Sequence, residues 1–170
     1  VAELGAAALP AGGKDAALLA EASAGVYTAQ VSGAGATSGV ALAAVFVGVG
    51  EGRLANVSGR CFVGSGDAIV IGGFVVIGDT PKPMLLRAIG PGLSDLGVGG
   101  VLLDPQLKVF AGSNLVAEND NWSDDAEAAG EVTVATGRVG AFPLESGSRD
   151  AAVLVSLPPG VYTVQMSGVD

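Results

Sequence analysis

Gly160-Val161-Tyr162-Thr163-Val164-Gln165-Met166-Ser167-Gly168 repeats a phrase that the chain has already used at Gly25-Val26-Tyr27-Thr28-Ala29-Gln30-Val31-Ser32-Gly33. Upstream of each lies a second shared block, Lys14-Asp15-Ala16-Ala17-Leu18-Leu19 and Arg149-Asp150-Ala151-Ala152-Val153-Leu154, at the same offset and without a gap. Self-similarity at a fixed offset marks a repeated structural unit. Within the phrase, Tyr162, Val164 and Met166 share one face of an extended strand, and Val161, Thr163 and Gln165 share the other. Tyr27, Ala29 and Val31 repeat that division, and the tyrosine face is the expected core face. Leu157-Pro158-Pro159-Gly160 supplies a turn before the strand, as Ser23-Ala24-Gly25 does in the first copy, so each copy reads as a hairpin.

Composition agrees with short strands. Of 170 residues 28 are Gly, too many for a helical bundle, and the hydrophobic share of 49% contains only 5% aromatics, so the core is built from Val, Leu, Ile and Ala. Glycine supplies the positive φ that tight turns demand. The net charge of −9 argues against nucleic acid and against anionic membrane surfaces as partners.

Absences narrow the chemistry further. The chain has no His, which removes the commonest general base, the commonest zinc ligand and every triad that depends on imidazole. Phosphate-loop, dinucleotide-binding and nucleophile-elbow spacings are missing too. Cys61 stands alone, and its place between Arg60 and Phe62 in a strand-like run predicts a small buried hydrophobe rather than a reactive thiol. The apolar stretch 40–49 is about half the length of a membrane helix, which predicts no membrane insertion. No basic-then-apolar leader precedes Val1, so any secretory signal is expected to have been removed.

Taken in order, residues 1–8 read as the tail of a helix, and Pro10-Ala11-Gly12-Gly13 as a turn. Residues 14–20 and 26–31 read as the two strands of the first hairpin. A glycine-rich hinge, 33–39, leads to Val40-Ala41-Leu42-Ala43-Ala44-Val45-Phe46-Val47, which is apolar on both faces and therefore needs cover on both. Residues 48–52 form a linker. Strands are expected at 53–63, 67–77 with a bulge at Gly72-Gly73, 82–89, 106–110 and 115–118. One helix follows, over 126–137, with Ser123 as its N-cap. The pattern predicts an all-β fold, an antiparallel β-sandwich of jelly-roll type with one short inserted helix and a circularly offset repeat. Its organisation is residues 1–47 as the C-terminal part of one module, 48–52 as linker, and 53–170 as a main module lacking its last strand.

Leu107-Lys108-Val109-Phe110, Leu115-Val116-Ala117-Glu118-Asn119-Asp120 and Leu157-Pro158-Pro159-Gly160-Val161-Tyr162-Thr163-Val164 together resemble the pre-peptidase C-terminal type of β-sandwich. Arg53-Leu54-Ala55-Asn56-Val57-Ser58, Leu86-Arg87-Ala88-Ile89-Gly90-Pro91 and Asn119-Asp120-Asn121-Trp122 are similar to tandem modules of large secreted bacterial surface proteins. The resemblance implies an extracellular, non-catalytic module that accompanies secreted enzymes or builds cell-surface structures.

Three functions compete on these residues. The first is a structural subunit of an extracellular filament or surface layer, a homopolymer joined head to tail by strand complementation. Its assembly strand would present Val40, Leu42, Ala44 and Phe46, and its assembly hairpin Leu19, Tyr27 and Val31. The second is a carbohydrate- or protein-binding accessory module, for which Trp122 is the best stacking platform. A carboxylate-based hydrolase drawing on Glu118, Asp120, Asp124, Asp125, Glu127 and Glu131 is the third. No cofactor is expected, although Asp120, Asp124 and Asp125 could offer calcium hard oxygen donors. Asn56 and Asn121 stand in Asn-x-Ser sequons, as candidate glycosylation sites.

Overall fold

The computed structural model describes residues 9–47, 53–64 and 66–169, which fall into two compact units divided between Val57 and Ser58. The second unit is mostly antiparallel β-sheet. Its elements are β1 (Val70–Val76), β2 (Lys82–Ala88), β3 (Pro105–Ala111), β4 (Asn114–Asn119), α1 (Ala126–Arg138), β5 (Ala151–Leu157) and β6 (Gly160–Gly168). Four strands form one sheet in the order β1-β6-β3-β4, and β2 and β5 form a second.

Side-chain alternation dictates how these layers meet. Tyr162, Val164 and Met166 of β6 face inward as the pattern predicts, with Tyr162 buried beside Val76 and Leu157 and stacked on Phe74 at 5.4 Å between ring centroids. A second cluster joins Leu107 to Ala88 and Ala151, so the core lies between the two sheets, an arrangement compatible with a sandwich. Strand β5, Ala-Ala-Val-Leu-Val-Ser-Leu, is apolar on both sides because both of its sides are covered. Ala151, Val153, Val155 and Leu157 face the four-stranded sheet, while Ala152 and Leu154 pack with Trp122, Val132 and Ala129 beneath α1. Full burial of a Leu, Val or Phe side chain contributes about 1.5–3 kcal/mol.

Helix α1 forms where expected, with a different cap. The Asp125 carboxylate, not Ser123, accepts from the Ala128 N–H at 2.8 Å, and the Ser123 hydroxyl instead accepts from the Gly147 N–H at 2.9 Å. Val132 is helical despite its β-branch because it is buried against Trp122, and tertiary packing outweighs intrinsic propensity.

Several expected elements differ. Gly72 and Gly73 pair regularly with Val164 and Thr163, and the register shift lies between Val109 and Phe110 of β3. The second copy is not a hairpin: β5 pairs with β2, whereas β6 pairs with β1 and β3. Pro158 and Pro159 explain this, since their φ near −65° cannot follow a primed two-residue turn, and the chain crosses between the sheets instead. No strand is assigned over 14–20, 26–31, 40–47 or 53–63 among the described residues. Strand-like sequence becomes strand only where a partner ladder exists, and these segments have none there. Cys61, expected to be buried, is exposed for the same reason. The turn at residues 10–13 is present, closed by the Gly13 N–H donating to the Pro10 carbonyl at 3.0 Å. The helix tail expected at 1–8 and the linker at 48–52 lie outside the described residues.

Candidate assembly site

The two copies of the repeated phrase share local geometry and differ in burial. Tyr162 Oη donates to the Pro158 carbonyl at 2.8 Å, and Tyr27 Oη donates to the Ser23 carbonyl at 2.8 Å, four residues back in each case. Each tyrosine ring lies over the glycine two positions earlier, Gly160 or Gly25. Yet Tyr162 is 6% exposed and Tyr27 63%. Leu18 and Leu19 of the first copy are 91% and 89% exposed, whereas their counterparts Val153 and Leu154 pack in the core.

The expected assembly residues are therefore all on open surface. Leu19, Tyr27, Val31, Val40, Leu42 and Phe46 are exposed large hydrophobics, and Ala44 is exposed beside them.

Four strand edges of the second unit remain without a neighbouring strand among the described residues: β1 and β4 in the larger sheet, β2 and β5 in the smaller. The start of the β5 edge is capped by the Asn-Asp-Asn-Trp loop. Asn119 Oδ1 accepts from the Ala152 N–H at 2.9 Å, and the Trp122 N–H donates to the Asp150 carbonyl at 2.9 Å. Strand β4 carries the exposed charge of Glu118. Strand β1 turns Ile71 and Val75 outward, and Val75 pairs there with the exposed Val161 of β6.

A polar node at the end of the smaller sheet, just past Ala88 of β2 and just before Ala151 of β5, escaped the reading of the sequence. Asp150 is fully buried, and its carboxylate accepts from the Gly90 N–H at 2.8 Å, the Gly92 N–H at 3.1 Å and the Ser148 hydroxyl at 2.8 Å. The glycines are required by close approach: a Cβ at Gly90 would strike the Leu102 carbonyl, and one at Gly92 would sit 2.9 Å from Asp150 Oδ2. Nearby, Arg87 stacks its guanidinium 4.4 Å from the Phe142 ring centroid, with Nε and Nη2 buried and without a hydrogen-bond partner among the described residues. Burial pushes the Arg87 pKa down from its ordinary value, and the Asp150 charge opposes that shift. The signal for the node was the aspartate that both copies place before Ala-Ala, Asp15 and Asp150.

The remaining candidates separate. Trp122 is buried, with Nε1 donating to the Glu145 carbonyl at 3.0 Å, so it packs over the helix start and offers no stacking face. Among the described residues no three His, Cys, Asp or Glu side chains are grouped as a metal site would require, and Asp125 is committed to capping α1. Glu118 and Asp120 line a polar cleft with Gln106 and Asn119. Asn56 is exposed; Asn121 is half-buried, with its carbonyl accepting from Asn119 Nδ2 at 3.2 Å. No helix among the described residues is long and apolar enough to cross a membrane. No protein-family model, curated protein or solved structure matches the chain.

Proposed function

We propose that this protein is a non-catalytic structural subunit of an extracellular filament or surface assembly, and that copies join head to tail by strand complementation through residues 1–47. The observation that carries the reading is the opposite burial of one sequence met twice. Residues 14–31 repeat the sequence that forms β5 and β6, and there the same tyrosine and aliphatic positions form core with β1, β2 and β3. In the first copy Leu18, Leu19, Tyr27 and Val31 are exposed. Supplying β-partners from another copy would bury this surface and give its backbone a ladder, which is how strand addition gains affinity. A donor at one end and an acceptor elsewhere make a heterologous contact, and such contacts propagate into a fibre unless the rotation closes a ring. In this reading the sandwich is a circularly offset module, with the hinge at 33–39 setting the reach of the donor.

The test is negative-stain electron microscopy of the purified chain across a concentration series, beside a glycan array on the same preparation. The proposal expects filaments or rings that disappear on deletion of residues 1–47. Dispersed particles with a saturable glycan signal would overturn it in favour of a carbohydrate-binding accessory module.

A further inference from the structure

We propose that the acceptor in this assembly is the free edge of β2, and that residues 40–47 of a second copy add there as a third strand of the smaller sheet, above the inner face of β1. The inference rests on the assembly reading above and assigns its site.

The donor selects the edge. Residues 40–47 alternate Val40, Leu42, Ala44 and Phe46 with Ala41, Ala43, Val45 and Val47, so neither face is polar. Added beside β1 or β4, such a strand would keep one face in water, because the outer face of the larger sheet is exposed at Ile71, Val75 and Val161. The smaller sheet is covered on both faces, by the larger sheet and by α1 with Trp122. Strands buried on both faces are the ones that read as unbroken apolar runs.

Position selects β2 over β5. Asn119 and Trp122 already occupy the first hydrogen-bonding groups of the β5 edge. Strand β5 lies against β3 and β4, and β2 against β3. Two strands thus face four, and along β1 the cover that buries Val76 beside Leu157 and Tyr162 thins towards Phe74, which is half-buried, and Gly72, which is exposed. A strand beside β2 would lay its larger set, Val40, Leu42 and Phe46, onto Phe74. Its other set, Ala41, Ala43, Val45 and Val47, would turn towards the side where Phe142 covers Arg87. Pro83 lacks an N–H and is at home on an edge strand, which leaves Met84 to Ala88 as the ladder available for addition.

The order of elements agrees. In the first copy, the phrase that corresponds to β6 is followed by the hinge 33–39 and then by 40–47. The 40–47 run thus follows a β6-like phrase in sequence, and its two apolar faces suit a sheet that is covered on both sides.

Chemical crosslinking of the full chain in a Cys61→Ser background tests this. One population carries Ala43→Cys, and isotope-labelled populations carry Pro83→Cys at β2, Val75→Cys at β1 or Glu118→Cys at β4, all exposed positions. Populations are mixed and treated with a short bis-maleimide, and linked peptides are mapped by mass spectrometry. The expected result is a 43–83 link between labelled and unlabelled chains, on the order of tenfold above the 43–75 and 43–118 links, because docking raises the effective concentration of one pair. A dominant 43–75 or 43–118 link in assembled material would overturn the β2 assignment and leave the assembly reading standing. Links found only within single chains would overturn the second copy as donor. Absence of assembly at every concentration would overturn both.

Discussion

Replacing Asp150 tests how much of the second unit hangs on one carboxylate. In Asp150→Ala the N–H groups of Gly90 and Gly92 lose their acceptor inside the protein, and the Ser148 hydroxyl loses its acceptor while still accepting from Trp122 Nε1 at 3.3 Å and from the backbone N–H of residue 150 at 3.5 Å. An orphaned buried donor costs about 1–3 kcal/mol, so two of them cost roughly 2–6 kcal/mol. Relief of the buried charge offsets part of this, because desolvating an ion is itself unfavourable. A net loss of about 3 kcal/mol follows, which for a unit of this size lowers the melting temperature by roughly 10–20 °C. Asp150→Asn keeps one acceptor oxygen and turns an amide NH2 towards groups that also donate, so about half that loss is expected. Asp15→Ala is the control. The residue holds the same place in the first copy and is exposed, so its replacement should change stability by less than about 0.5 kcal/mol. Thermal melts of the three variants followed by near-ultraviolet circular dichroism at Trp122 provide the readout. An Asp150→Ala protein melting within about 2 °C of the parent would refute the reasoning, as would Asp150→Asn being the worse of the two, given the per-kcal shift above.

Trp122→Ala removes a buried ring and its bond to Glu145, and should cost about 3–5 kcal/mol and loosen α1, as read by amide exchange over residues 126–138. Arg149→Ala breaks the 2.6 Å pair with Asp104, but the arginine is largely exposed, so denaturant melts should shift by no more than about 1 kcal/mol. Cys61 should react with a maleimide in the native protein as readily as after denaturation, and a protected thiol would contradict its exposure. Calcium at millimolar concentration, or its chelation, should leave the melting temperature unchanged, since Asp125 is engaged as a helix cap and, among the described residues, no acidic group of three is assembled beside it.

How much of this could be read from the sequence depended on whether a segment had its partner. Lys82 to Ala88, Pro105 to Ala111 and Asn114 to Asn119 alternate over a single buried face or flank a clear turn, and they form strands where the pattern put them. The tyrosine face of β6 was legible for the same reason. Residues 14–31, 40–47 and 53–63 carry equally strong strand patterns and remain unpaired among the described residues, because propensity states a preference and the ladder must come from another segment. Alternation also could not say that β5 and β6 lie in different sheets; the two prolines between them could. Asp150 was hidden because a charge at the mouth of an apolar strand reads as a surface residue until the Gly-Pro-Gly turn folds over it. Cys61 was misplaced because its burial was inferred from flanking residues that are themselves exposed.

Sedimentation velocity compares the parent chain with a Leu19→Asp, Leu42→Asp, Phe46→Asp variant, whose three changes fall on exposed side chains outside the second unit. The account predicts that the parent grows beyond the 16.5 kDa monomer as concentration rises. The variant should stay monomeric with an unchanged melting temperature for the second unit. A parent that sediments as a monomer at every concentration, or a variant that assembles as the parent does, would contradict the claim that residues 1–47 carry the assembly.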